Sequence, residues 1–266
     1  MSQKKKNMSS RRDFIVGSSL TAVGLSSFSQ GKAMTASSNA LNLAENKREE
    51  LISLLSDLIT IRSQTGESAE EAQALVNNYL SDLPYRIERS SDRPSLYQNH
   101  PEFMPPNPES DGPFINIVGW PEKTSRKTSA IFSHIDTHSE DAGWETDPYK
   151  PIIKKNRMYG LGTSDDKGGV AAMLIAARIL SENDKPLPVV MSLHGKGGGS
   201  RGSLPVFERI RKQKHNIQSV LYAHPAETGR GLEDVKNAVL GVLDLEMRVR
   251  GWRGPQMEIG SIDSSD

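Results

Sequence analysis

One stretch constrains the fold more than any other. Residues 129–133 form a short apolar run that ends in His134-Ile135-Asp136. Further on, Tyr159-Gly160-Leu161-Gly162-Thr163-Ser164-Asp165-Asp166-Lys167-Gly168-Gly169 leads into a segment that is apolar nearly all round, up to Leu180. The first run reads as a buried strand and the second as a buried helix. Together they put a histidine at the mouth of a strand and an acidic pair at the start of a helix. Those are the places where an α/β protein keeps its ligands.

The flanking pattern extends this reading. Leu51, Leu54, Leu55, Leu58 and Ile59 recur at helical spacing within 44–62. Ser68-Ala69-Glu70-Glu71 has the form of a capping box and predicts a helix running to about Leu83, stopped by Pro84. Residues 90–112 are polar and proline-rich and predict a loop. Phe114–Val118, Pro188–Leu193 and Gln218–Ala223 read as strands, and Leu204–Gln213 as a helix. Strands alternating with helices imply a mostly parallel sheet flanked by helices. From Ala238 to Gly251 a longer alternating strand of antiparallel type is expected, as the start of a small α+β lid or dimerisation domain. The expected organisation is a signal segment over 1–36, a metal-binding domain over 40–236 and the beginning of that second domain over 237–266.

Composition removes several alternatives. The 266 residues hold 33 Lys+Arg and 33 Asp+Glu, so no net basic field invites nucleic acid. There is no cysteine, which excludes disulfides and thiolate metal sites and leaves His, Asp and Glu as ligands. At the N-terminus, Lys4-Lys5-Lys6, then Ser10-Arg11-Arg12-Asp13-Phe14-Ile15 and a mildly apolar run from Val16 to Phe28, follow the order of an export signal. The paired arginines resemble a twin-arginine address, which implies a periplasmic or secreted protein. The apolar run is too short and too rich in Ser and Gly to be a stable membrane span.

The residues around the central stretch then suggest a chemistry. Asp136 lies two residues after His134, on the same side of an extended chain. A carboxylate there can hold one ring nitrogen and leave the other for a metal. Asp165 stands just before a helix, where the dipole favours a negative charge, and the glycines behind it allow close backbone packing. A lone histidine or a lone N-terminal aspartate would be unremarkable; their combination points to a metal site.

With Trp144 and Asp147-Pro148-Tyr149 between them, these elements resemble the zinc-dependent aminoacylase and carboxypeptidase superfamily. Its members include acetylornithine deacetylase, succinyl-diaminopimelate desuccinylase and glutamate carboxypeptidases. The likeness extends over about residues 44–252. It implies a zinc-exopeptidase-like fold, His134 and Asp165 as metal ligands, and Asp136 supporting His134. The family next has a Glu-Glu pair, base and ligand, before a Gly-Ser-x-Gly. Registered on Gly199-Ser200-Arg201-Gly202, this chain has Lys196 and Gly197 there. His224, before Pro225, takes the place of an acidic ligand, and imidazole serves zinc well. The family's last histidine ligand lies beyond the lid domain, past the end of this sequence.

The resemblance therefore implies one zinc, held by His134, Asp165 and His224, with Co2+ or Mn2+ as substitutes. Glu227, three residues after His224, is a candidate replacement base; His138, four residues after His134, is placed to reach the metal or to line the cleft, and His194, at a strand end near the cleft, is a further candidate site residue. The implied activity is hydrolysis of an amide bond in a small N-acyl amino acid or peptide, by a chain that can form a homodimer. The rival reading is a non-catalytic zinc- or ligand-binding relic or fragment of such an enzyme.

Overall fold

A computed structural model describes residues 39–64, 68–101, 103, 113–123, 128–195, 202–213 and 215–225. The expected signal segment, Lys196, Gly197, Glu227 and the strand from Ala238 to Gly251 lie outside the described residues. The chain divides into two units, residues 1–225 and 226–266, and all described residues belong to the first.

The apolar periodicities become α1 (Arg48–Thr60), α2 (Ala69–Ser81), α3 (Lys167–Glu182) and α4 (Ser203–Lys212). The strands are β1 (Tyr85–Asp92), β2 (Phe114–Pro121), β3 (Thr128–His134), β4 (Ile152–Lys154), β5 (Arg157–Tyr159), β6 (Val189–Leu193) and β7 (Ile217–Tyr222). Five of them make one sheet in the order β1-β2-β6-β3-β7. This is the α/β architecture, with a mixed sheet. β6, β3 and β7 run parallel, whereas β2 joins β6, and β1 joins β2, antiparallel. The parallel trio is the part that alternates with helices in sequence. β4 and β5 form a separate two-stranded hairpin. Its turn places Lys155 and Asn156 at φ 49° and 63°, the left-handed pair that a tight two-residue hairpin needs.

Two details differ from the sequence reading. β1 begins at Tyr85 and occupies 90–92, which composition assigned to a loop. Its polar alternation suits a sheet-edge strand with one wet face. Ser68 precedes α2 as expected, but its backbone is helical (φ −69°, ψ −27°) and its hydroxyl does not cap the helix. The β2 run is also buried throughout, because β1 and β6 flank it in the plane and residues from both of its faces enter the core.

Helices cover the sheet on both sides of its parallel part. Leu58, Val76, Leu80, Val170, Leu174 and Val190 meet in the larger core, under α1, α2 and α3. Val118, Met191, Val206 and Ile210 form the smaller core under α4. Arg209 of α4 ties this second layer to the sheet edge: Nη1 donates to both carboxylate oxygens of Asp92, at 2.8 and 3.0 Å, and Nη2 to Ser90 Oγ at 2.6 Å. Buried Gln73 reaches through the sheet, donating to the carbonyls of Ile115 (2.8 Å) and Ser192 (3.1 Å). Among the described residues no helix is long and apolar enough to cross a membrane.

Candidate metal centre

The three parallel strands end side by side, and each is followed by a histidine. His134 ends β3, His194 follows β6 and His224 lies just beyond β7. The register fixes this: His134 pairs with Leu193 and Phe132 with Tyr222, while the Ala223 N–H donates to the Phe132 carbonyl at 2.8 Å. Two of the three histidines converge on one carboxylate. His134 Nε2 is 2.8 Å from Asp165 Oδ1, and His224 Nε2 is 3.2 Å from the same atom. The imidazole centroids are 6.1 Å apart and inclined by 27°. One ligand-capable atom from each of His134, Asp165 and His224 lies within 4.8 Å of the other two. Among the described residues this is the one such group.

The far side of each ring is held by oxygen acceptors. His134 Nδ1 is 3.1 Å from the Asp136 carbonyl and 3.5 Å from its carboxylate Oδ1. The main chain thus shares the orienting task that the sequence gives to the carboxylate alone. His224 Nδ1 faces the Pro225 carbonyl at 2.9 Å. A proton held on each Nδ1 leaves both Nε2 lone pairs facing Asp165, the tautomer that metal ligation requires. Two imidazole nitrogens and a carboxylate oxygen suit a divalent ion of the zinc type. The Asp165 side chain is 52% exposed against 23% and 16% for the histidines, so the group opens to solvent on its carboxylate side.

Beneath this group lies a buried polar layer. Asp136 Oδ1 accepts the Gly195 N–H at 2.6 Å. Burial works against its charge, but the His134 hydrogen bond, the fields of His194 and His134 and the Gly195 N–H outweigh it and lower its pKa. Asp166 is fully buried and accepts from Ser133 Oγ at 2.6 Å. Burial pushes its carboxyl up to about 6, against that hydrogen bond and the charges of His134 and His224. Burial likewise pushes the Lys167 ammonium down to about 8, opposed by Asp136. For His134, burial disfavours the charged ring, yet the hydrogen bond to Asp136 and the charges of Asp136, Asp166 and Asp165 prevail and raise it to about 9.

The other sequence candidates take different places. His138 is exposed and outside the convergent group. His194 is fully buried, stacked on Phe114 at 4.6 Å, and its backbone N–H donates to Asn116 Oδ1 at 2.9 Å. It is thus a buried residue at the strand end beside the site. Trp144 and Tyr159 line an open recess of about 570 Å³ together with Glu145 and Lys154. Tyr149 is buried under the Arg62 guanidinium, 3.9 Å from its ring centroid, and donates to Glu140 at 2.7 Å. Sequence reasoning noted Asp166 only as half of an acidic pair and gave Ser133 no role. Their signal was a hydroxyl at an inward position of an apolar strand and a second carboxylate beside the first.

The two-histidine, one-aspartate group thus lies at the carboxyl ends of the parallel strands, where an α/β sheet places its ligands. The family model of Peptidase family M20/M25/M40 matches residues 130–257 of this chain. The chain is 29% identical over 175 residues to N-formyl-4-amino-5-aminomethyl-2-methylpyrimidine deformylase of Bacillus subtilis, which covers 62% of this chain and 37% of the relative. It is 28% identical over 149 residues to succinyl-diaminopimelate desuccinylase of Zymomonas mobilis, covering 54% of this chain and 38% of the relative. The chain thus spans little more than a third of the length of these relatives. Human carnosine dipeptidase 1 shares the fold with a TM-score of 0.54 and 19% identity, over 67% of this chain and 39% of that one. A di-peptidase of Saccharomyces cerevisiae does so at 0.51 and 18%, over 68% and 39%.

Two outcomes test the geometry. A Cβ on Gly169 would lie 1.8 Å from the Ala223 carbonyl and 2.4 Å from Asp166 Oδ1. Gly169→Ala is expected to cost about 1–3 kcal/mol and to displace His224. A variant with unchanged melting temperature and metal uptake would refute that close approach. Ligation also needs His134 neutral. A folded-state value of about 9 means that His134 stabilises the metal-free fold below pH about 6.5, and that this stability is lost as pH rises through about 9. Metal binding near neutral pH should therefore release about one proton from His134, and affinity should fall about tenfold for each pH unit lowered. Calorimetry in buffers of different ionisation enthalpy measures this, and pH-independent binding would contradict it.

Proposed function

We propose that the chain is an exported, metal-dependent hydrolase of amide bonds. Its substrates would be small N-acyl amino acids or peptides, and one zinc would be held by His134, Asp165 and His224. The observation that carries the reading is the convergence of those three side chains within 4.8 Å at the ends of β3 and β7 and the start of α3. The donor set fits the ion: two neutral nitrogens, one anionic oxygen and an open side. When bound, the ion supplies Lewis acidity toward water and the substrate carbonyl.

The chain's own groups do the rest. Asp136 fixes the His134 ring through its carbonyl and carboxylate. Asp166 and Ser133 fill the floor behind Asp165 and exclude water from it. Glu227 is the proposed proton acceptor, on the strength of its place three residues after His224. The deformylase and desuccinylase resemblances support amide hydrolysis as the reaction class. Export rests on Arg11-Arg12 and the run from Val16 to Phe28, and replacing both arginines with lysine should retain the chain in the cytoplasm. Homodimer formation is supported by the exposed apolar residues Val220, Leu221 and Tyr222 of β7.

A second reading is favoured by Lys196 and Gly197, which stand where the resemblance expects a Glu-Glu pair. In it the chain is a non-catalytic zinc- or ligand-binding relic or fragment of such an enzyme. Elemental analysis beside hydrolysis of N-acyl amino acids and dipeptides separates the two. About one zinc per chain is expected, lost in His134→Ala and in His224→Ala, with hydrolysis lost in step. Zinc without hydrolysis in the wild type selects the second reading. A folded chain without zinc overturns the catalytic reading and leaves a relic or fragment of a hydrolase fold.

A further inference from the structure

The segments that carry His134 and Asp165 are joined directly by Ser133 Oγ, which donates to the Asp166 carbonyl at 3.1 Å and to its carboxylate at 2.6 Å. Both are also fastened to a third segment that contributes no ligand. Where α1 ends, residues 61–63 cross beneath the centre. Ser63 Oγ donates to the Ile135 carbonyl at 2.9 Å, and the Thr137 N–H donates to the Ser63 carbonyl at 3.3 Å. These bonds hold the His134–Thr137 loop. On the other side, Lys167 Nζ donates to the Ile61 carbonyl at 2.6 Å.

Lys167 is an unusual residue for this task. It is wholly buried, in the first turn of α3, two residues after Asp165. Its stem lies along the backbone that leads into Asp165. A Cβ on Gly162 would stand 3.1 Å from Lys167 Cδ and 2.7 Å from Thr137 Cγ2, and Gly162 itself has φ +87°. Stem, glycine turn and Thr137 methyl therefore fill one narrow space, and the ammonium closes it against α1. A buried ammonium left without its acceptor costs far more than a neutral donor, so the bond to Ile61 is held tightly. Carbonyls at a helix C-terminus are also favourable partners for a cation.

We propose that Lys167 is a positioning residue for the metal centre: by gripping Ile61 it sets the distance between Asp165 and His134 through the shared strut 61–63. This rests on the reading of His134, Asp165 and His224 as a metal site. A metal responds to ligand spacing on a scale finer than fold stability does, so supporting contacts of this kind change affinity about ten- to a hundredfold.

The test uses the full chain with zinc and Co2+ as probes. Lys167→Met keeps the stem and removes the donor. Zinc affinity by chelator competition, the visible spectrum of the Co2+ form and the melting temperature of the metal-free protein are recorded together. Val76→Ala, in the core on α2, serves as a control for general destabilisation. The expected result is a ten- to hundredfold weaker zinc affinity and a changed Co2+ spectrum in Lys167→Met, with both unchanged in Val76→Ala. Wild-type affinity and spectrum in Lys167→Met would overturn the proposal. If Lys167→Met does not fold, Ser63→Ala decides: it cuts the other arm of the strut, and an unchanged affinity and spectrum there overturn the proposal equally. A wild-type chain that takes up neither ion would overturn the metal reading itself, a result distinct from a metal-binding wild type with an indifferent variant.

Discussion

A single carboxylate oxygen organises this domain. Asp165 Oδ1 stands between two imidazole nitrogens, one from a central strand and one from beyond the edge strand. Three acidic side chains, Asp136, Asp165 and Asp166, lie close to His134, and like charges at such spacing cannot be assembled without counterweights. In the metal-free chain a proton on His134 supplies part of that counterweight, which is why the ring holds its proton so far above its ordinary range. A divalent ion can take over the same role. The site is electrostatically prepared for a cation before any arrives.

The surrounding architecture follows from making that arrangement rigid. Buried polar groups are tolerable when they are bonded, and here Ser133 meets Asp166 at the start of α3, Asn116 and the Gly195 N–H meet partners on neighbouring strand ends, and Gln73 of α2 bridges β2 and β6. Together they stitch β2, β3 and β6 at the end where the site lies. Two cores then clamp the sheet from opposite faces, and α3 enters the larger one directly from the Asp165 turn. Packing and chemistry share the same few residues: the first turn of α3 holds both Gly169, which admits the Ala223 carbonyl, and Lys167, which reaches α1.

Much of this was legible in the chain. The runs at 129–133 and 167–180 were unbroken enough to declare a strand and a helix, and ligand positions at their ends followed from α/β geometry. His134 and Asp165 stand out by their place at the ends of these runs and His224 by the resemblance, and the fold brings all three together. What escaped had physical reasons. β1 is polar because one face meets water at a sheet edge, so its composition matched a loop. The capping box at Ser68 satisfied a local pattern that the approaching chain did not adopt. The depth of His194 depended on Phe114 and Asn116, which are distant in sequence. The role of Lys167 was hidden because a lysine in a helix's first turn ordinarily lies on the surface. Only the crossing of residues 61–63 beneath the site turns it inward.

One further consequence concerns the edge of the sheet. Among the described residues β7 has a single hydrogen-bonded neighbour, β3, and its residues from Gln218 to Tyr222 are exposed. His224 hangs from the end of that strand, whereas His134 is set in the interior of the sheet. The two imidazoles therefore sit on supports of very different stiffness. Binding at the site must fasten the loose margin to the firm centre, so occupancy and edge fraying are opposite sides of one equilibrium. An ion that bridges His134 and His224 acts as a rivet for β7, and any force that peels β7 from β3 also loosens the ion.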